Sequence, residues 1–194
     1  VEAVFKGLLR ASGTTFEDND KVTLDLPKGG KVSGEYDMIL DDKVDDVKSA
    51  SPWSYENKFT DFNTLNAGDS FGYVSQLVGY AAAAGKDIGG WWVVNKANGN
   101  FKYVSAEEAN TKEVLENIED TYDYIDKDKP FERCFEPVPE TYFRKPSGNM
   151  KLGSNCRFCD HRYKCWPTLQ ALPSKVSKAK DKPIVEYISV TEAA

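Results

Sequence analysis

Three alternating stretches follow one another between positions 21 and 50, with short turns between them. Lys21–Leu26 sets Val22, Leu24 and Leu26 against polar neighbours, which is the period of a half-buried strand. Lys28-Gly29-Gly30 is a turn. Val32–Leu40 and Val44–Ala50 read as two further strands, with a hairpin-like connection at Asp41-Asp42-Lys43. Strands joined this tightly run antiparallel, because a parallel return needs a long crossover.

The flanking sequence is helical. Val1, Val4, Phe5, Leu8 and Leu9 share one helical face over Val1–Ala11. Asp69 or Ser70 is the expected cap of a helix reaching about Ala84. Trp91–Asn95 and Phe101–Val104 pair across Asn98-Gly99. Ser105, with Glu108 completing a capping box, is expected to start a helix that runs to Asp126. Ser51–Gly68 reads as irregular, with Trp53, Tyr55, Lys58, Phe59 and Phe62 either capping the core or stacking a substrate. Pro130–Pro167 has no clear period. The tail from Ser174 is lysine-rich until Ile184–Val190, which alternates like a strand. The expected fold class is α/β (α+β), a mixed central sheet flanked by helices. The expected divisions are residues 1–129, a cysteine-rich segment 130–170 and a tail 171–194.

The 194 residues are 40% apolar and 29% charged, enough for one real core. No run of 18 apolar residues occurs, so no membrane span is expected, and no charged-then-apolar leader opens the chain. A cytoplasmic setting follows as an expectation. The net charge of −6 counts against a broad basic clamp on nucleic acid. It does not count against a site whose carboxylates hold a cation. Basic residues still gather late in the chain, at Arg133, Arg144, Lys145, Lys151, Arg157, Arg162 and Lys164.

The second and third strands carry the candidate chemistry. Asp46 and Lys48 are two apart and share a face. Asp37 lies on the neighbouring strand. Two converging carboxylates suit Mg2+ or Mn2+, with the Val47 carbonyl as a further oxygen ligand. Such a metal polarises a phosphate and acidifies a water, while a lysine beside it stabilises charge. Asp41, Asp42 and Asp45 read as solvated. Substituting Asp46 or Lys48 is expected to abolish cleavage and spare the fold. On the next helix Gln76 and Tyr80 are four apart on one face, placed to contact a phosphate or brace Lys48.

The four cysteines, Cys134, Cys156, Cys159 and Cys165, are separated by 21, 2 and 5 residues. A C-x2-C pair turns two thiolates onto one centre, which suits zinc or an iron–sulfur cluster. Two disulfides are the alternative, and a reducing cytosol disfavours them. Spacing does not separate zinc from iron.

G-x-x-D at Gly34–Asp37, D-x-K at Asp46–Lys48 and Q-x-x-x-Y at Gln76–Tyr80, in this order, resemble the motifs of RecB-like PD-(D/E)XK nucleases. The resemblance covers roughly Val22–Val104. It implies a restriction-endonuclease-like core, a divalent metal, and DNA with single-stranded or frayed ends as substrate of an exonuclease. Many members carry a His or Glu on an upstream helix at the metal site. Glu2 is the available candidate here, since the only histidine is His161. The C-x2-C-x5-C end is similar to that of AddB-type and CRISPR-associated members, which implies a [4Fe–4S] cluster, with zinc as alternative. In those, the first cysteine usually precedes the nuclease motifs, whereas Cys134 follows them. Relatives of this type occur in bacteriophages, which implies DNA processing in a bacterial or phage-infected cell, with replication or recombination proteins as candidate partners. The contrasting reading is a non-catalytic DNA-binding or assembly module stabilised by a four-cysteine metal centre.

Overall fold

The computed structural model describes Val1–Pro130 and Glu132–Thr191. Positions 131 and 192–194, which belong to the expected cysteine segment and tail, lie outside the described residues. The chain forms two compact units, Val1–Lys129 and Pro130–Ala194.

In the first unit, helix α1 (Glu2–Ala11) precedes strands β1 (Asp20–Asp25), β2 (Lys31–Tyr36), β3 (Met38–Leu40) and β4 (Lys43–Ala50). Helices α2 (Pro52–Asn57), α3 (Phe62–Ala67) and α4 (Tyr73–Ala84) follow, then strands β5 (Asp87–Asn95) and β6 (Phe101–Ser105) and helix α5 (Thr111–Asp126). The main sheet is mixed, in the order β3-β4-β5-β6. β3/β4 and β5/β6 are antiparallel and β4/β5 is parallel. β1 and β2 form a separate antiparallel hairpin.

The stretch expected as one strand over Val32–Leu40 is broken at Asp37. Its first part pairs with β1 and its second with β4, so the chain changes sheet at that residue. Asp41 and Asp42 both adopt positive φ, 50° and 63°, in a two-residue turn of the kind that matches strand twist.

α4 covers one face of this sheet. Val74, Leu77, Val78 and Ala81 recur at helical spacing and pack with Val44, Ala50, Trp91 and Val93. Each valine or leucine among them contributes about 1.5–3 kcal/mol when fully buried. Residues 51–68, expected to be irregular, fold into α2 and α3; α3 sends Phe62 and Leu65, and the turn between the helices sends Phe59, into the same core. The helix expected from Ser105 starts instead at Thr111, with the Asn110 side chain accepting from the Glu113 amide. Ser105 is held as the last residue of β6, and Ala106 is buried and bonded to the Gly89 carbonyl. Sheet pairing here outweighs a local capping signal.

The second unit contains β7 (Val138–Tyr142), β8 (Lys145–Lys151), α6 (Ser154–Arg157), α7 (Arg162–Cys165), β9 (Gln170–Pro173) and β10 (Ile184–Ser189). Its sheet has the order β7-β8-β10-β9, all antiparallel. The residues after 171 are therefore not a separate tail: β10 lies between β8 and β9. Pro130–Pro167, which shows no clear period in the sequence, carries buried Leu152 and Trp166, and its buried Glu140 carboxylate accepts from Ser147 and Asn149 within it and from Ser174 and the buried Tyr187 beyond it. No helix among the described residues is long and apolar enough to cross a membrane.

Candidate active site

β4 carries two neighbouring aspartates to opposite faces, and burial treats them differently. Asp45 was expected to be solvated. It is buried, and it accepts from the Gly90 amide at 2.8 Å, Tyr103 Oη at 3.0 Å and Trp92 Nε1 at 3.0 Å. A bulge makes room for it, because β5 spends three steps from Ile88 to Trp91 while β4 spends two from Val44 to Asp46. A Cβ on Gly89 would lie 2.0 Å from Asp45 Oδ1, so glycine is required there. Asp45 thus bolts β4 to β5 and β6.

Asp46 shares its face with the core under α4 and is 5% exposed. Lys48 Nζ donates to its Oδ1 at 2.9 Å and stands 2.8 Å from Oδ2. That second approach lacks hydrogen-bond direction, and Asp46 Oδ2 is buried without a hydrogen-bond partner. Among the described residues the other such atom is Trp91 Nε1, on the residue that pairs with Asp46 across the sheet.

Asp37 sits where β3 ends its pairing with β4. The Val47 amide lies one step past the ladder, and the Asp37 carboxylate takes that bond at 2.7 Å. Val47, expected to offer its carbonyl, meets the site through its N–H. Burial pushes the Asp37 carboxyl up to about 6, the Val47 bond opposes this, and the charges of Asp46 and Glu2 add to it. Burial also raises Asp46, against the pull of Lys48, with Glu2 and Asp45 adding to the rise. Glu2 on α1 is therefore within electrostatic range of both aspartates. It is also paired with Lys6 at 2.6 Å, one turn along the helix.

Lys48 is held from two sides, by Asp46 and by Gln76 Oε1 at 3.0 Å. Gln76 Nε2 in turn donates to Tyr80 Oη at 3.1 Å. The Q-x-x-x-Y pair thus braces the lysine. Two neighbours, Tyr73 and Lys6, went unread in the sequence, and a third, Asp69, was expected only as a helix cap. Tyr73, three residues before Gln76, places its ring 5.0 Å from Lys48 Nζ. Asp69 accepts from the Tyr73 and Val74 amides and fixes the start of α4. Lys6 is buried between Glu2 and Asp18. Its spacing from Glu2 was the available signal.

The cysteines lie in the second unit. All four are free thiols. Cys156 is in α6 and Cys165 ends α7, and the Cys159 amide turns back to the Cys156 carbonyl at 3.0 Å. Arg133 and Arg162 donate to the Cys165 and Cys159 carbonyls. Burial raises the Cys156 thiol, and charge on Cys159, Cys165 and Cys134 raises it further. Cys156 is therefore within electrostatic range of all three partners. Even so, no group of three or more His, Cys, Asp or Glu among the described residues is already drawn together as a metal-holding set. This applies to the carboxylates and the thiols alike.

No family model matches the chain, and no curated protein matches it in a sequence comparison.

Proposed function

We propose that the chain is a metal-dependent nuclease that hydrolyses phosphodiester bonds in DNA, built on a restriction-endonuclease-like core. The observation that carries this reading is Asp46: a buried carboxylate paired with Lys48 alone, one of whose oxygens has no hydrogen bond, with Asp37 and Glu2 within electrostatic range. Several carboxylates gathered about one lysine leave an excess of negative charge, and a cation offsets it. The donor set is hard oxygen, with proton affinity raised at Asp37 and Asp46, which suits Mg2+ or Mn2+. Asp37, Asp46 and Glu2 would hold such an ion, and bound there it supplies Lewis acidity toward a phosphate and a more acidic water.

The chain's own groups do the rest. Lys48 presents an ammonium whose position is fixed by Asp46 and Gln76, placed to stabilise negative charge growing on the phosphate. Tyr80 orients the Gln76 amide so that its oxygen faces Lys48. Val47 aims Asp37 through the backbone. In the second unit we assign the four cysteines, by their number and their C-x2-C-x5-C spacing, to one [4Fe–4S] cluster, with one zinc ion as the alternative, which on binding would order the α6–α7 segment. The test is incubation of end-labelled single-stranded and duplex DNA with the purified protein in Mn2+, Mg2+ or EDTA. Metal-dependent shortening that is lost in Asp46→Asn is expected. Binding without cleavage in any metal would favour the non-catalytic module.

A further inference from the structure

The approach to α4 presents rings and ammonium groups that the chemistry above leaves unused. Phe71 is 63% exposed. Its ring stacks with Tyr73, centroids 5.8 Å apart and planes at 24°. Tyr73 stacks in turn with the buried Phe59 at 5.9 Å and 30°. The three rings form a ladder from the core to solvent. Lys58 Nζ stands 5.1 Å from the Phe71 centroid and 4.8 Å from that of Tyr73. Lys48 reaches the same Tyr73 ring at 5.0 Å. One ring therefore separates the candidate catalytic lysine from an exposed aromatic face.

The local chain holds this arrangement in place. Gly72 takes a left-handed φ of 72°, which a side chain would resist. Asp69 spends its carboxylate on the first amides of α4, so that charge is engaged at the helix start. Phe71 is thereby fixed next to the helix end that carries Tyr73 and Gln76.

We infer that Phe71, Tyr73 and Lys58 form a subsite for one nucleotide of single-stranded DNA, with the base stacked on Phe71 and its phosphate neutralised by Lys58. This rests on the nuclease reading and names how that site selects its substrate. A ring can stack only on a base face that is free, so the ladder takes unpaired or terminal bases and passes over paired ones. Rings flanked by ammonium groups are the combination that single-stranded nucleic acid requires, with π-faces for bases and cations for phosphates.

The test uses the full chain in EDTA and an oligothymidylate carrying one 2-aminopurine. Binding to the wild-type protein quenches the probe. Phe71→Ala weakens binding about 5- to 100-fold and abolishes the quench, while Phe71→Trp keeps both. Lys58→Ala lowers the slope of log affinity against log salt by about 0.7. Wild-type affinity and quench in Phe71→Ala overturn the inference, as does a wild-type protein that does not bind the strand. Phe71-dependent binding by a protein that cleaves nothing in Mn2+ supports the subsite and defeats the nuclease reading alone.

Discussion

Asp37→Asn should make the metal-free protein more stable, and the gain should grow with pH. The substitution keeps the acceptor for the Val47 amide and removes the charge. Burial raises the Asp37 carboxyl from 3.8 to about 6. A raised carboxyl means that the folded state holds the proton more tightly than the unfolded chain. Its contribution is fully present below pH 3.8 and is lost as pH rises through about 6. The shift corresponds to about 3 kcal/mol at most, and partial exposure to solvent reduces this to about 1–2 kcal/mol. In EDTA at pH 7.5 the variant should therefore melt roughly 2–8 °C above wild type. The difference should shrink as pH is lowered to 4.5. Asp45 and Asp46 are raised in the same sense and are present in both proteins; removing the Asp37 charge also relieves its repulsion with Asp46, which acts in the same direction as the predicted gain. Mn2+ should then stabilise wild type and not the variant, since only wild type binds it in the folded state. A variant no more stable than wild type at pH 7.5, or equally favoured at pH 4.5, would refute the reasoning.

Lys48→Ala should abolish cleavage, and it should not spare the fold as the sequence suggested. It strands the buried Asp46 carboxylate, at a cost of about 3–5 kcal/mol, and adding Asp46→Asn should recover much of that in denaturant melts without restoring activity. Asp45→Ala leaves the buried Gly90 amide and the part-buried Trp92 and Tyr103 donors without their acceptor, at about 1–3 kcal/mol for the buried amide and less for the others, so the first unit should melt markedly earlier by circular dichroism. Cys156→Ser should lose the iron and sulfide, or the zinc, measured in anaerobically purified wild type. The β7–β10 sheet should persist in its hydrogen-exchange pattern, because the Glu140 network does not involve a thiol.

The sequence made the strand of the candidate site legible because strand geometry is local. A period of two puts Asp46 and Lys48 on one face whatever surrounds them, and a spacing of four puts Gln76 and Tyr80 on one helix face. What lay hidden depends on distant partners. Asp45 looks like any acidic residue beside a turn, since its three donors come from residues 90, 92 and 103. The break at Asp37 is invisible in a continuous alternating run, because it arises from a choice between two sheets. The sheet of the second unit pairs Glu186 with Ala171, and Tyr187 with Lys151; β10 is legible in the alternation of Ile184–Val190, but its partners Gln170–Pro173 and Lys145–Lys151 carry little alternation of their own. Phe71 carries no period at all, and only the stacking in three dimensions singles it out.

Asp45 and Asp46 together sharpen the assignment of the site. Both are buried neighbours on one strand, and burial raises the proton affinity of both. Asp45 has a donor for each oxygen, so its burial is complete as folded structure. Asp46 has only Lys48, which pairs with both of its oxygens and hydrogen-bonds one. If the Asp46–Lys48 pair served only stability, apolar residues of similar size in both places would often do as well or better. A charged pair of this kind, with a fixed ammonium and further carboxylates within range, is what the proposed metal site requires. The same strand thus separates its two aspartates by donor count: Asp45, with a hydrogen-bond donor for each oxygen, holds the sheet, and Asp46, held by Lys48 alone, is the one we propose as the ligand.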